Sequence, residues 1–145
     1  SPMDTLTIGI IGATTNLTTT NFLKLVQKHQ QERRKTNHRY NLDILAICGN
    51  QQMSLNVSQL WNETQFSPQS LEKLLQNSPP LVFEEFITHL TQCSGYHKVI
   101  VDCSDNSKEY CKFYPKWLSL GFHIVTANSA FLLDSDLYDS IMRFF

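Results

Sequence analysis

The stretch from Lys98 to Asp134, KVIVDCSDNSKEYCKFYPKWLSLGFHIVTANSAFLLD, decides the fold. It holds two short apolar runs, Val99–Cys103 and Phe122–Thr126, separated by residues that can wind as a helix from Ser107 to Leu120. Gly121 is the predicted end of that helix, because glycine enters the left-handed region without a Cβ penalty. Two buried strands joined by a helix form a βαβ unit, which implies a parallel sheet with helices on its faces.

Polar residues stand at the ends of both predicted strands. Asp102 and Ser104 mark the end of the first strand, Thr126 ends the second, and Asn128 follows it. Ligands of open parallel sheets bind outside the carboxyl ends of the strands. Ser104, Thr126 and Asn128 are therefore candidate binding residues, with loop capping as the alternative for each. Asp102 has no partner carboxylate or histidine at a helpful spacing, so a structural or capping role is preferred for it.

The beginning of the chain has the order of a dinucleotide-binding unit, which is a strand, a turn of small residues and a helix. The predicted strand is Leu6–Ile11, and the helix runs from Leu17 or Thr18 to about His29. The turn between them supplies four candidate phosphate-binding residues, namely Gly12, Thr14, Thr15 and Asn16.

That turn has fewer glycines than such units usually carry. Gly12 suits the tight turn, but Thr14 or Thr15 stands where a second glycine lets the backbone approach a pyrophosphate. A Cβ there pushes the pyrophosphate away from the amides. The alternative is that the threonine hydroxyls and the helix N-terminus still hold a phosphate.

The middle of the chain is expected to hold a loop, a second strand and two helices. Gln30–Asn41 is polar and predicted to be a loop, and Asp43–Cys48 is the predicted strand. Asn50 stands near the end of that strand, where an acidic residue usually binds the adenosine ribose. It is the candidate ribose-binding residue, a Gly-Asn turn is the alternative, and an uncharged residue favours neither NAD nor NADP. The two helices are predicted from Ser67-Pro68 onward and over Leu81–Cys93, and one more is predicted at the end of the chain, over Asp134–Phe145.

VIVDCS and GFHIVTAN, with the helix-length spacing between them, resemble the nucleotide-binding domain of homoserine dehydrogenase, especially the form fused to aspartokinase. The resemblance implies a three-layer, Rossmann-like α/β domain with a mostly parallel sheet. It implies NAD or NADP as the cofactor, and hydride transfer between NAD(P)H and the aldehyde of aspartate semialdehyde, which gives homoserine. It also implies that the chain works with a catalytic domain, an aspartokinase domain and further copies of itself.

One position departs from that family at a catalytic point. Ser129 stands where the family has a lysine, whose charge would stabilise the developing negative charge on the substrate oxygen. No catalytic residue and no metal site is predicted in this chain. Two functions therefore stay open: a cofactor-binding domain of a dehydrogenase, or a non-catalytic regulatory or protein-interaction domain that has lost dinucleotide binding.

Length and composition indicate how many domains, which partners and which compartment to expect for this chain. The chain has 145 residues, about the size of one domain, and residues 1–145 are predicted to be a single domain cut from a longer protein. A net charge of −1 argues against nucleic-acid or membrane-surface partners. The four cysteines form no C-x-x-C pair, so a reducing, cytoplasmic compartment is expected.

Overall fold

The computed structural model describes residues 4–35, 40–62, 65–93, 95, 97–105 and 108–126, together with 136 and 139. Its strands among these residues are β1 Asp4–Ile11, β2 Tyr40–Cys48, β3 Met53–Ser54, β4 His97–Asp102 and β5 His123–Thr126. They form one sheet in the order β3-β2-β1-β4-β5. β1 pairs in parallel with both β2 and β4, and β4 pairs in parallel with β5.

The predicted α/β class and mostly parallel sheet are confirmed. β3 is an antiparallel edge strand of two residues that the sequence did not predict. The order places β1 in the centre, with the chain moving outward to β2 on one side and to β4 and β5 on the other. Such a reversal of direction is the switch point at which ligands bind in open α/β sheets.

Helices cover both faces of the sheet and give two separate cores. The helices are α1 Leu17–Lys35, α2 Pro68–Gln76, α3 Phe83–Thr91, α4 Lys108–Cys111 and α5 Tyr114–Ser119, with a 3₁₀ turn at Ser58–Trp61. One core joins α1 and α2 to side chains such as Ile10 and Ile47. The other joins α3, α4 and α5 to side chains such as Ile100 and Cys48. The central strand β1 thus sends residues to opposite layers, with Ile10 in the first core and Ile11 in the second.

Gly9 interrupts the apolar residues of β1 because α3 lies directly on it. A Cβ at Gly9 would lie 2.5 Å from Leu90 Cδ1 and 2.9 Å from Phe86 Cζ, both in the buried core beneath α3. A side chain at this position would push the helix away from the sheet.

The predicted loop over Gln30–Asn41 is wrong at both ends. α1 continues to Lys35, and β2 already begins at Tyr40. The segment after Gln30 is made of strong helix formers, and Gln31 and Glu32 lie exposed on the helix, so a polar sequence here does not indicate a loop. Lys28 Nζ and Glu32 Oε1 lie 3.9 Å apart and form an i,i+4 ion pair on the helix surface. Gln30 Nε2 donates to the carbonyl oxygen of Leu42 at 3.0 Å, which ties the helix to β2.

The single helix predicted over Ser107–Leu120 is two short helices, α4 and α5. Pro115 lies in the first turn of α5 and has no N–H to continue the ladder from α4. Gly121 follows the end of α5 with φ +91°, as predicted for its role. Tyr110 on α4 and Tyr114 on α5 have different hydrogen-bond partners, Asn50 and Asp102.

α2 begins as expected, with Ser67 Oγ accepting from Ser70 N at 3.3 Å and Pro68 in the first turn. The helix predicted over Leu81–Cys93 is shorter, Phe83–Thr91. The helix predicted over Asp134–Phe145 lies outside the described residues. Within the described ranges, none of the helices has the length and apolarity needed to cross a bilayer.

Candidate functional site

A polar cleft of about 430 Å³ opens at the carboxyl ends of β1, β2 and β4. This volume lies within the range of small-molecule pockets. Its described lining residues come from the turn after β1, the turn after β2, the loop after β4 and the start of α4: Gly12, Thr14, Asn16, Asn50, Gln51, Ser104, Asp105, Glu109 and Tyr110. The cleft therefore lies at the switch point of the sheet.

Gly12 brings the first turn against the loop that follows β4. Its φ is +64°, in the left-handed region that favours glycine. A Cβ here would lie 2.5 Å from Ser104 Cβ and 2.7 Å from both Ser104 Cα and N. The space that glycine leaves is thus filled by the protein's own backbone, and the two walls of the cleft touch at this point.

The turn after Gly12 is held by its own side chains. Asn16 Oδ1 accepts from Thr19 N at 2.9 Å, which caps the N-terminus of α1. Thr14 Oγ1 accepts from Asn16 N at 3.2 Å, and Thr14 N donates to Thr19 Oγ1 at 3.2 Å. Several donors that a glycine-rich turn would offer to a phosphate are therefore already bonded inside the protein.

The end of β2 is tied to α4 across the cleft. Tyr110 donates its hydroxyl proton to Asn50 Oδ1 at 3.0 Å. Burial, followed by the charges of Glu109, Cys48 and Asp102, raises the pKa of Tyr110 to about 12, so it stays a neutral phenol at physiological pH. Asn50, the predicted ribose-binding residue, thus has its carbonyl oxygen engaged and its amide nitrogen as the remaining donor.

Asp102 lies beneath the cleft wall and binds the loop after β4 and the start of helix α5. It is 1% exposed, and its Oδ1 accepts from Ser104 N at 2.8 Å and from Ser104 Oγ at 2.5 Å. Its Oδ2 accepts from the hydroxyl of Tyr114, whose oxygen lies 2.9 Å from Thr126 Oγ1. Because the one phenol proton goes to the carboxylate, which only accepts, the Thr126 hydroxyl donates to the phenol oxygen. The ends of β4 and β5 are joined through this network.

The charge of the cleft is negative where it is charged at all. Asp105 and Glu109 line it and are exposed, while the described lining includes neither lysine nor arginine.

The Cys103 thiol lies beneath the cleft. Burial is the main cause that raises its pKa to about 11, with a smaller contribution from the charge of Asp102. The thiol is 1% exposed and stays protonated, so it is no nucleophile at neutral pH.

The structure brings together five of the eight predicted binding residues, which are Gly12, Thr14, Asn16, Asn50 and Ser104. Thr15 is exposed and does not line the cleft. Thr126 turns its hydroxyl to Tyr114, and Asn128 lies outside the described residues.

Sequence reasoning missed four lining residues: Gln51, Asp105, Glu109 and Tyr110. Gln51 and Asp105 each adjoin a residue that had been singled out, and this adjacency was a usable signal. Glu109 and Tyr110 were missed because a single long helix was expected there, whereas the structure has two short helices, α4 ending at Cys111 and α5 beginning at Tyr114.

The sequence profile described as "Homoserine dehydrogenase, NAD binding domain" matches residues 18–144. The chain belongs to this family. The match begins within the first turn of α1, so the homoserine dehydrogenase likeness rests on the domain beyond the Gly12 turn. Comparison with curated protein sequences gives no match.

Solved structures agree with this family at the level of the fold. The chain is similar to S. aureus homoserine dehydrogenase at pH 7.5, with a TM-score of 0.58 and 16% identity over 99% of this chain. For the same enzyme at pH 7.0 the TM-score is 0.61, again at 16% identity and 99% coverage. In both cases the chain spans 31% of the length of the S. aureus protein.

Proposed function

We propose that this chain is the NAD(P)-binding part of a homoserine dehydrogenase-like oxidoreductase. The observation that carries the proposal is the polar cleft at the switch point, built by Gly12 at positive φ and by the ends of β1, β2 and β4. A nicotinamide dinucleotide would lie across these strand ends, as ligands do in open α/β sheets. The family match over residues 18–144 supports the same role.

The residues fit the nucleoside better than the pyrophosphate. Asn50 offers its amide nitrogen beside the position of the adenosine ribose, and Ser104, Asp105 and Glu109 offer acceptors for hydroxyl or amine protons. For the pyrophosphate, the amides of Leu17 and Thr18 remain at the start of α1 within the described part, since Asn16 already caps Thr19 N. We therefore expect binding that is carried mainly by the nucleoside.

A bound dinucleotide would supply hydride to the aldehyde of aspartate semialdehyde, or accept it from homoserine in the reverse direction, as in the family reaction. The protein groups of the cleft would orient the cofactor, and Thr126 at the end of β5 would mark its nicotinamide side. Ser129 brings no charge to the substrate oxygen, so the rest of a longer protein would have to supply that stabilisation.

A second function is favoured by the closed turn after β1. The bonds among Thr14, Asn16 and Thr19 satisfy this turn without a phosphate. Such a turn suits a domain that keeps the fold and serves as a regulatory or protein-interaction module. Fold alone does not separate the two functions, because binding depends on the altered site residues.

Calorimetric titration with NAD⁺, NADP⁺ and their reduced forms, with ATP as a control, tests the proposal. We expect a dissociation constant in the micromolar range, about −8 kcal/mol, for at least one dinucleotide. If millimolar dinucleotide gives neither heat nor a thermal shift, the dehydrogenase role of this domain is refuted and the interaction module takes its place.

A further inference from the structure

Both hydrogen-bond donors of Ser104 point away from the cleft that Ser104 lines. Its amide and its hydroxyl each donate to Asp102 Oδ1, at 2.8 Å and 2.5 Å. A hydroxyl has one proton and two lone pairs. Toward a ligand the Ser104 hydroxyl can therefore act only as an acceptor.

Tyr114 fixes the carboxylate that imposes this orientation. Its hydroxyl donates to Asp102 Oδ2, and both side chains are buried, at 2% and 1% exposure. Burial, and next the hydrogen bond to Asp102, raise the pKa of Tyr114 well above that of a free tyrosine, so the phenol remains a donor. Bonds to both of its oxygens hold Asp102 in the orientation that accepts from the Ser104 hydroxyl.

The side chains beside Ser104 have the same character. Tyr110 turns its proton toward Asn50, which leaves its oxygen as an acceptor. The carboxylates of Asp105 and Glu109, when ionised, accept hydrogen bonds and do not donate. We call these four residues, Ser104, Asp105, Glu109 and Tyr110, the acceptor wall.

We propose that the acceptor wall reads donor groups of the ligand, namely ribose hydroxyls and the adenine amine, and rejects a 2′-phosphate, so that the cleft selects NAD(H) over NADP(H). The preference for NAD(H) over NADP(H) rests on the proposed function, because it requires that the cleft binds a dinucleotide. The binding of a nucleoside by the acceptor wall does not require it. The 2′ position belongs at the end of β2, and Tyr110 lies across the cleft from it, 3.0 Å from Asn50. A phosphate monoester there would carry a charge of about −2 toward two carboxylates.

The test compares four probes by calorimetry on the whole chain: adenosine, 2′,5′-ADP, NAD⁺ and NADP⁺. We expect NAD⁺ to bind at least about tenfold more tightly than NADP⁺ at low salt. The difference should shrink as ionic strength rises, because salt screens the carboxylates. Adenosine should bind, and 2′,5′-ADP should bind more weakly than adenosine.

Two variants separate the two halves of the wall. Glu109→Gln removes one charge and should reduce the preference for NAD⁺ by about threefold, chiefly by improving NADP⁺ binding. Glu85→Gln is the matched control, since Glu85 is an exposed carboxylate on α3 that does not line the cleft. Ser104→Ala removes the acceptor and should weaken adenosine and NAD⁺ several-fold.

Each outcome decides a different claim. Equal affinity for NAD⁺ and NADP⁺, or tighter NADP⁺, overturns the acceptor wall and leaves the dehydrogenase role standing. Binding of adenosine without binding of any dinucleotide supports the wall and refutes that role. If no probe binds, both are overturned. An unchanged preference in Glu109→Gln also counts against the wall, and Glu85→Gln shows whether any change is a general effect of charge.

Discussion

Gly12→Ala tests whether the missing side chain at this position holds the cleft together. A Cβ in the left-handed region costs about 1–2 kcal/mol. At Gly12 it also meets the backbone of Ser104 at 2.7 Å, and forcing atoms into such a packed place costs about 1–3 kcal/mol more. The expected loss in the free energy of unfolding is therefore about 2–5 kcal/mol, a large share of the stability of an ordinary domain.

Gly121→Ala is the matched control. Gly121 also has positive φ, at +91°, but a Cβ there would meet nothing within 4 Å. It carries the conformational cost of about 1–2 kcal/mol without the steric one. The effect of alanine on the unfolded chain is common to both variants, so the difference between them, about 1–3 kcal/mol, isolates the contact with Ser104.

Urea unfolding followed by tryptophan fluorescence measures both variants, since Trp117 is 1% exposed and reports on the core. Gly12→Ala should also lower the melting temperature by about 3 °C for each kcal/mol lost. If the two variants lose the same free energy of unfolding to within about 0.5 kcal/mol, the close contact between the first turn and the loop after β4 does not stabilise the protein, and the reasoning is refuted.

Two further predictions concern the turn and the buried thiol. Asn16→Ala should cost about 1 kcal/mol in urea unfolding because it removes the cap on Thr19 N, whereas Asn16→Asp should keep the cap; an equal loss in both would show that the cap contributes nothing. The second concerns alkaline pH. The folded-state pKa of Cys103 is raised from 9.0 to about 11. The stabilisation of the folded state that results is therefore fully present below about pH 9 and is lost as the pH rises toward 11. By about pH 10.5 the unfolding free energy should fall on the order of 2 kcal/mol from this group, and less in Cys103→Ala; a flat profile in the unchanged protein would contradict it.

The sequence by itself determined the class of the fold and most of the strand ends. Apolar runs such as Val99–Cys103 and the turn residue Gly121 predict a parallel βαβ unit, because the apolar character of a strand and the conformational freedom of glycine can be read locally from the sequence. The same runs carried the family resemblance. Five cleft residues followed from the rule that ligands meet the carboxyl ends of strands, which needs no side-chain geometry.

Only the tertiary structure decided the chemistry of the cleft. Asp102 was assigned a structural role from sequence, but its partner Tyr114, and Thr126 that bonds Tyr114 in turn, are more than ten residues away and are brought to it by folding alone. Tyr110 on α4 donates to Asn50, sixty residues away along the chain. Whether a hydroxyl donates or accepts depends on which group takes its proton, and that group is set by three-dimensional contact. For this reason the sequence could nominate Ser104 as a binding residue but could not say which chemical groups it binds.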